Sequence, residues 1–83
     1  MNVTLHPHAK ARLAERGATE AEVVATVSRG RTIPGKVWPS GFRRNFSCQS
    51  HWRGKFYATK QIIAFAASAP DGWLVITLIV KYY

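Results

Sequence analysis

The chain has 83 residues, enough for one domain, with 47 % hydrophobic and 12 % aromatic side chains. That composition excludes a disordered tail, and no apolar run reaches the roughly 18 residues that a membrane-crossing helix needs. Twelve Lys and Arg against four Asp and Glu give a formal charge of +8, an excess that repels itself when compact and so points to nucleic acid, an anionic membrane surface or an acidic protein.

The first predicted element is a helix. The opening residues show no basic stretch followed by an apolar one, so no secretory leader is expected. Pro7 suits a first helical turn, where its missing N–H costs nothing. Residues 9–16 are mostly strong helix formers, and Gly17 is the kind of residue that ends a helix. A second helix follows at once. Thr19-Glu20-Ala21-Glu22 reads as a capping box, Val23, Val24 and Val27 form its apolar side, and Gly30 stops it after Arg29. The helical hairpin is expected over residues 6–29, and residues 31–41 read as a loop carrying two Pro-containing turn signals.

After Gly41 the periodicity becomes two. Phe42, Arg44, Phe46 and Cys48 should share one strand face, opposite Arg43, Asn45 and Ser47. A turn is expected over residues 50–54, then one long or two short strands over 55–67, and a hairpin turn at Pro70-Asp71-Gly72. The last strand carries Leu74, Ile76, Leu78 and Val80 on one face and Val75, Thr77, Ile79 and Lys81 on the other. Apolar on both sides, it belongs inside a sheet; left at an edge it would favour a second copy or a covering partner. The expected fold is a single α+β domain over residues 1–83. Two N-terminal helices pack on one face of a mainly antiparallel sheet of about four strands, over residues 42–82.

Charge is segregated along the chain. No acid occurs between residues 23 and 70, where Arg29, Arg31, Lys36, Arg43, Arg44, Arg53, Lys55 and Lys60 are interleaved with aromatic rings. Cations neutralise phosphates and flat rings stack on bases, so Lys36, Trp38, Arg43, Arg44, Trp52, Arg53, Lys55, Tyr57, Lys60 and Lys81 are the expected RNA contacts. The plainer reading of the same stretch is a solvated basic face.

The first helix carries a second constellation. At about 100° per residue, His8, Arg12 and Arg16 form one row beside the apolar row of Leu5, Ala9 and Leu13, while Lys10 and Ala14 point away. An imidazole can move a proton near neutral pH, and guanidiniums can hold a phosphate and the charge that develops on it. Glu15 is placed to pair with Arg12. The competing reading has these side chains snorkelling over the edge of the core.

Residues 8–19, followed by Glu22-Val23, resemble the opening of the domain-of-unknown-function family numbered 4258, and Trp73-Leu74-Val75-Ile76-Thr77-Leu78 resembles its closing strand. Where members of that family often carry an aromatic two residues after the threonine, this chain has Ile79. The family is associated with the barnase–EndoU–colicin–RelE superfamily of small α+β domains, which includes many ribonuclease toxins. The resemblance implies an endoribonuclease toxin opposed by an antitoxin or immunity protein, with His8, Arg12, Arg16 and Thr77 as catalytic candidates. Cutting by the RNA 2′-hydroxyl is metal-independent, the +8 charge suits an acidic partner, and the single Cys48 fits a reducing compartment such as the cytoplasm. No cofactor is expected. His6, His8, Cys48 and His51 match no zinc-ligand spacing, so no metal site is expected either. The readings from other classes are a non-catalytic nucleic-acid-binding module and a basic domain that docks an acidic protein.

Overall fold

The structure is a computed structural model that describes residues 2–34 and 39–83. The elements run β1 (Asn2–Leu5), α1 (Pro7–Arg16), α2 (Glu20–Arg29), β2 (Arg31–Thr32), β3 (Ser40–Trp52), β4 (Lys55–Ala69) and β5 (Gly72–Tyr82). The strands form one sheet in the order β1-β5-β4-β3-β2, with β1 parallel to β5 and every other pair antiparallel. The α+β class and the two leading helices agree with expectation. The sheet differs, having five strands with one parallel pair. Lys55–Ala69 is one long strand, which leaves three of the expected strands, and the two that complete the five are short, four and two residues long. A segment of that length shows too little alternation to be read as a strand; pairing with β5 and β3 is what makes each of them one.

Both helix ends are set by local chemistry. His6 caps α1 through its Nδ1, which accepts the N–H of His8 at 3.1 Å. Gly17 closes α1 in the left-handed region (φ 73°), where a glycine has no Cβ to clash. The capping box forms on α2: the Thr19 hydroxyl accepts the Glu22 N–H, and Glu22 Oε1 accepts the Thr19 N–H. Between β3 and β4 the chain turns at Arg53 and Gly54, both at positive φ (52° and 83°), the pairing of angles that matches the twist of a tight hairpin.

The core lies between the helices and one sheet face. Val23 and Val27 of α2, Ala9 of α1, Phe42 of β3, Ile62, Ala64 and Ala66 of β4, and Val75 and Leu78 of β5 are buried. Two alanines on the central strand leave room for α2 to sit close against β4 and β3. Full burial of each larger aliphatic side chain contributes about 1.5–3 kcal/mol.

One expectation about β5 fails. Val75 and Leu78, three residues apart, are both buried, so they do not lie on opposite faces. The register of β4 against β5 shifts between Phe65 and Ala66, which pair with Thr77 and Val75 and leave Ile76 as the extra residue. The bulge reverses the alternation part-way along the strand. Leu78 and Val80 therefore continue the helix-covered face that Val75 starts, while Thr77, Ile79 and Lys81 take the opposite, open face. Of residues 74–80, only 74 and 75 lie between two strands, because β1 pairs with β5 over its first four residues; beyond Val75 the strand pairs with β4 alone, and α1 packs against β5. No helix among the described residues is long and apolar enough to cross a membrane.

Candidate nucleic-acid interface

The first predicted site is the row on α1. Arg12 is half-buried at the border of the apolar stripe, while His8, Lys10 and Arg16 are exposed. Among the described residues, no hydrogen bond or ion pair engages the side chains of His8, Arg12 or Arg16, and the expected Arg12–Glu15 pair does not form. Thr77, the proposed fourth member, pairs with Phe65 between the buried Ala64 and Ala66. Alternation puts it on the open face, away from the helices. The sheet thus does not bring the Thr77 hydroxyl onto the row of His8, Arg12 and Arg16, and the cause is the bulge at Ile76.

Four of the expected RNA contacts serve the fold. Lys60 is buried; its Nζ donates to the Gly17 carbonyl and to Glu22 Oε1, each at 2.9 Å. Tyr82 donates its hydroxyl to the Arg16 carbonyl and stacks on Trp52, with ring centroids 5.3 Å apart. Tyr57 leans on Tyr82, and Arg53 lies over Trp52 while donating to the Glu15 carbonyl at 3.1 Å. Together these groups latch the turn between the two helices to the β3–β4 hairpin. A cation or ring in the sequence has no mark that separates this duty from ligand binding. Lys55, exposed beside the ring of Tyr57, remains open to solvent. Lys36 and Trp38 lie outside the described residues.

The latch makes Tyr82 pH-sensitive. Its hydroxyl is held above the ordinary tyrosine value, first by burial, then by the negative charges of Cys48 and Glu22, against a smaller opposing effect of Arg53. The fold therefore favours the neutral phenol. Its contribution is complete below the ordinary tyrosine pKa of about 10 and is lost as pH rises through the folded value. Urea unfolding at neutral and strongly alkaline pH should show wild type losing stability that Tyr82→Phe does not lose. Tyr82→Phe should start about 1 kcal/mol lower, because it lacks the bond to the Arg16 carbonyl. Parallel losses in the two proteins would refute this.

The remaining cations gather elsewhere. Arg29 at the end of α2, Arg31 on β2, and Arg43 and Arg44 on β3 line one concavity of about 520 Å³, with Asn45 and Gln61 completing its wall. Adjacent residues on a strand point to opposite faces, yet Arg43 and Arg44 both reach it because β2 begins only at Arg31 and leaves the β3 edge at Arg44 uncovered. Arg31 and Thr32 pair only with Arg43 and Phe42, so the concavity wraps the sheet edge just past the Arg31–Arg43 pair. Gly30 permits this closeness: a Cβ there would run into the Arg43 carbonyl. Arg44 also lies over the ring of Phe46, 5.2 Å from its centroid.

None of the four guanidiniums is paired with a carboxylate among the described residues, where the one ion pair is Lys60–Glu22. The Glu22 carboxylate is engaged by the Thr19 cap and by Lys60, and no acidic residue lines the concavity. On the open face the charge continues. Asn45, Gln61 and Lys81 are directly opposite one another across β3, β4 and β5. Tyr83 donates its hydroxyl to Gln61 Oε1 at 3.2 Å and leaves its ring largely exposed. Arg43, Arg44 and Lys81 were expected here; Arg29, Arg31, Asn45, Gln61 and Tyr83 were not. Arg29 reads in sequence as a partner of the helix end, and only the strand register shows that it shares a concavity with Arg43. Among the described residues no three His, Cys, Asp or Glu gather as a metal site would need.

Comparison of the chain with family models, with curated proteins and with solved structures yields no match.

Proposed function

We propose that this protein acts on RNA, as a metal-independent endoribonuclease toxin of the cytoplasm that an acidic partner neutralises. The observation that carries the RNA reading is the arginine concavity. Four cations from three elements line one hollow and, among the described residues, none is paired with a carboxylate, which is an arrangement suited to phosphate. The exposed ring of Tyr83 beside Gln61 offers a stacking surface on the same face. Cleavage rests on the resemblance of residues 8–19 and 73–78 to the toxin-associated family. In this reading the RNA 2′-hydroxyl gives its proton to a base and attacks the adjacent phosphorus, and guanidiniums of the concavity hold the charge of the phosphorane. The P–O5′ bond then breaks, so that the protonated 5′-hydroxyl leaves and a 2′,3′-cyclic phosphate remains. The same basic surface suits an acidic antitoxin, which would then shield the concavity.

A second reading, a nucleic-acid-binding module without catalysis, is favoured by the position of Thr77 on the face away from His8, Arg12 and Arg16. One experiment separates the two. Wild type is incubated in a chelator with a short RNA and with the same RNA carrying 2′-deoxy substitutions, and Arg43→Ala is run beside it. The toxin reading expects cutting of the RNA alone, reduced at least 100-fold in Arg43→Ala, which is roughly the loss of one charged contact to a developing anion. Binding without cutting would leave the module. Neither binding nor cutting would end the RNA reading.

A further inference from the structure

A backbone phosphodiester carries one negative charge on two free oxygens, and one or two guanidiniums satisfy it. Four that converge on one hollow exceed that need. Proteins that track a strand without end preference spread their cations along a groove at the spacing of successive phosphates; here the cations close around a single concavity of about 520 Å³, within the range of a small-ligand cleft. The carbonyl end of α2 contributes about half a negative charge there, which four guanidiniums outweigh. A terminal phosphate already carries about −1.5 to −2, and a terminal polyphosphate concentrates more charge in the same small span. Its charge matches the site and a lone diester does not.

We propose that this concavity is a receptor for the terminal polyphosphate of a nucleotide, either a free nucleoside triphosphate or the 5′-triphosphate end of an RNA. The RNA source rests on the RNA reading above; the polyphosphate chemistry does not. Arg31 and Arg43 approach the phosphates from the open face, and Arg29 and Arg44 from around the edge of β3. The ring of Tyr83, 58 % exposed and tied to Gln61, is placed to stack the first base.

The test measures binding at about 0.15 M salt, so that unspecific charge effects are screened. The probes are inorganic tripolyphosphate, a nucleoside triphosphate, and one short 2′-O-methyl RNA bearing either a 5′-triphosphate or a 5′-hydroxyl, a backbone that cannot be cut by 2′-hydroxyl attack. The triphosphate end should tighten binding by about tenfold or more, as expected for added charged hydrogen bonds, and tripolyphosphate should compete. Arg43→Ala should abolish the preference. Lys10→Ala, which removes the same charge from an exposed site on α1, should keep it. If the nucleoside triphosphate binds as tightly as the triphosphorylated RNA, the free nucleotide is the ligand; if the RNA binds more tightly, its end is. Equal affinity for the two RNA ends, or equal effects of Arg43→Ala and Lys10→Ala, would overturn the inference while leaving general RNA binding intact. Binding of tripolyphosphate through Arg43 without RNA binding would uphold the inference and sink the RNA reading.

Discussion

Gly17→Ala should cost about 3 kcal/mol and lower the melting temperature by more than about 10 °C, whereas Gly54→Ala should cost only about 1 kcal/mol. Both glycines sit at positive φ, 73° and 83°, so the backbone penalty of a Cβ is similar at the two positions. Their surroundings differ. A Cβ on Gly54 meets nothing within 4 Å, while one on Gly17 would collide with the Tyr82 hydroxyl and approach the Trp52 ring to 2.8 Å. Those atoms belong to the latch. To give way, Tyr82 must leave the Arg16 carbonyl and slide off Trp52, which forfeits about 1 kcal/mol for the hydrogen bond and a similar amount for the stacked rings. A chain this small has a stability near the lower end of the 5–15 kcal/mol range, so the loss takes a large part of the whole. Thermal and urea unfolding of both variants give the comparison. Equal costs at the two glycines would mean that the Trp52–Tyr82 stack is loose and yields without loss.

Lys60→Met is expected to be the next most damaging change, at about 2 kcal/mol. Methionine keeps the length and apolar stem of the side chain, so the loss isolates the ammonium. That ammonium binds the Gly17 carbonyl and Glu22 Oε1, and the same carboxylate oxygen caps the N–H of Thr19. Removing one partner of a buried pair costs about 3–5 kcal/mol because the other is stranded. Glu22 is a quarter exposed, with 24 % of its side chain open to water against 11 % for Lys60, which lowers the figure. Glu22→Gln retains an oxygen for Thr19 and removes the charge. A double-mutant cycle in urea should therefore return a coupling energy of about 1 kcal/mol or more between positions 22 and 60. A coupling near zero would show that the carbonyl bond alone holds Lys60 in place. The same variant also bears on function. Loss of RNA binding by folded Lys60→Met would return this residue to the interface from which its burial removes it.

These two positions show where the sequence was legible. The ends of both helices could be read before any fold existed, because Pro7, Gly17, the Thr19–Glu22 box and Gly30 act through bonds within a few residues of themselves. The alternation of Phe42, Arg44, Phe46 and Cys48 was legible for the same reason, being a period of the local backbone. The site was legible in outline only. A stretch without acids announces a basic surface, and Arg43, Arg44 and Lys81 do face solvent where a ligand could meet them.

The class of the fold, the boundaries of the helical hairpin and the sign of the surface are therefore legible from residue order, all being properties of short-range geometry or of summed charge. Which cations are free is settled by packing. Whether Lys60 reaches out or in depends on Glu22 and Gly17 lying across from it, and these are 38 and 43 residues away in sequence. Whether Thr77 faces the helices depends on one extra residue in the register between β4 and β5. Arg29 and Arg44 come to one hollow because β2 begins only at Arg31, opposite Arg43, and leaves the edge of β3 unpaired from Arg44 onward. Pairing register and long-range contact are collective properties of the packed chain, and no local pattern carries them.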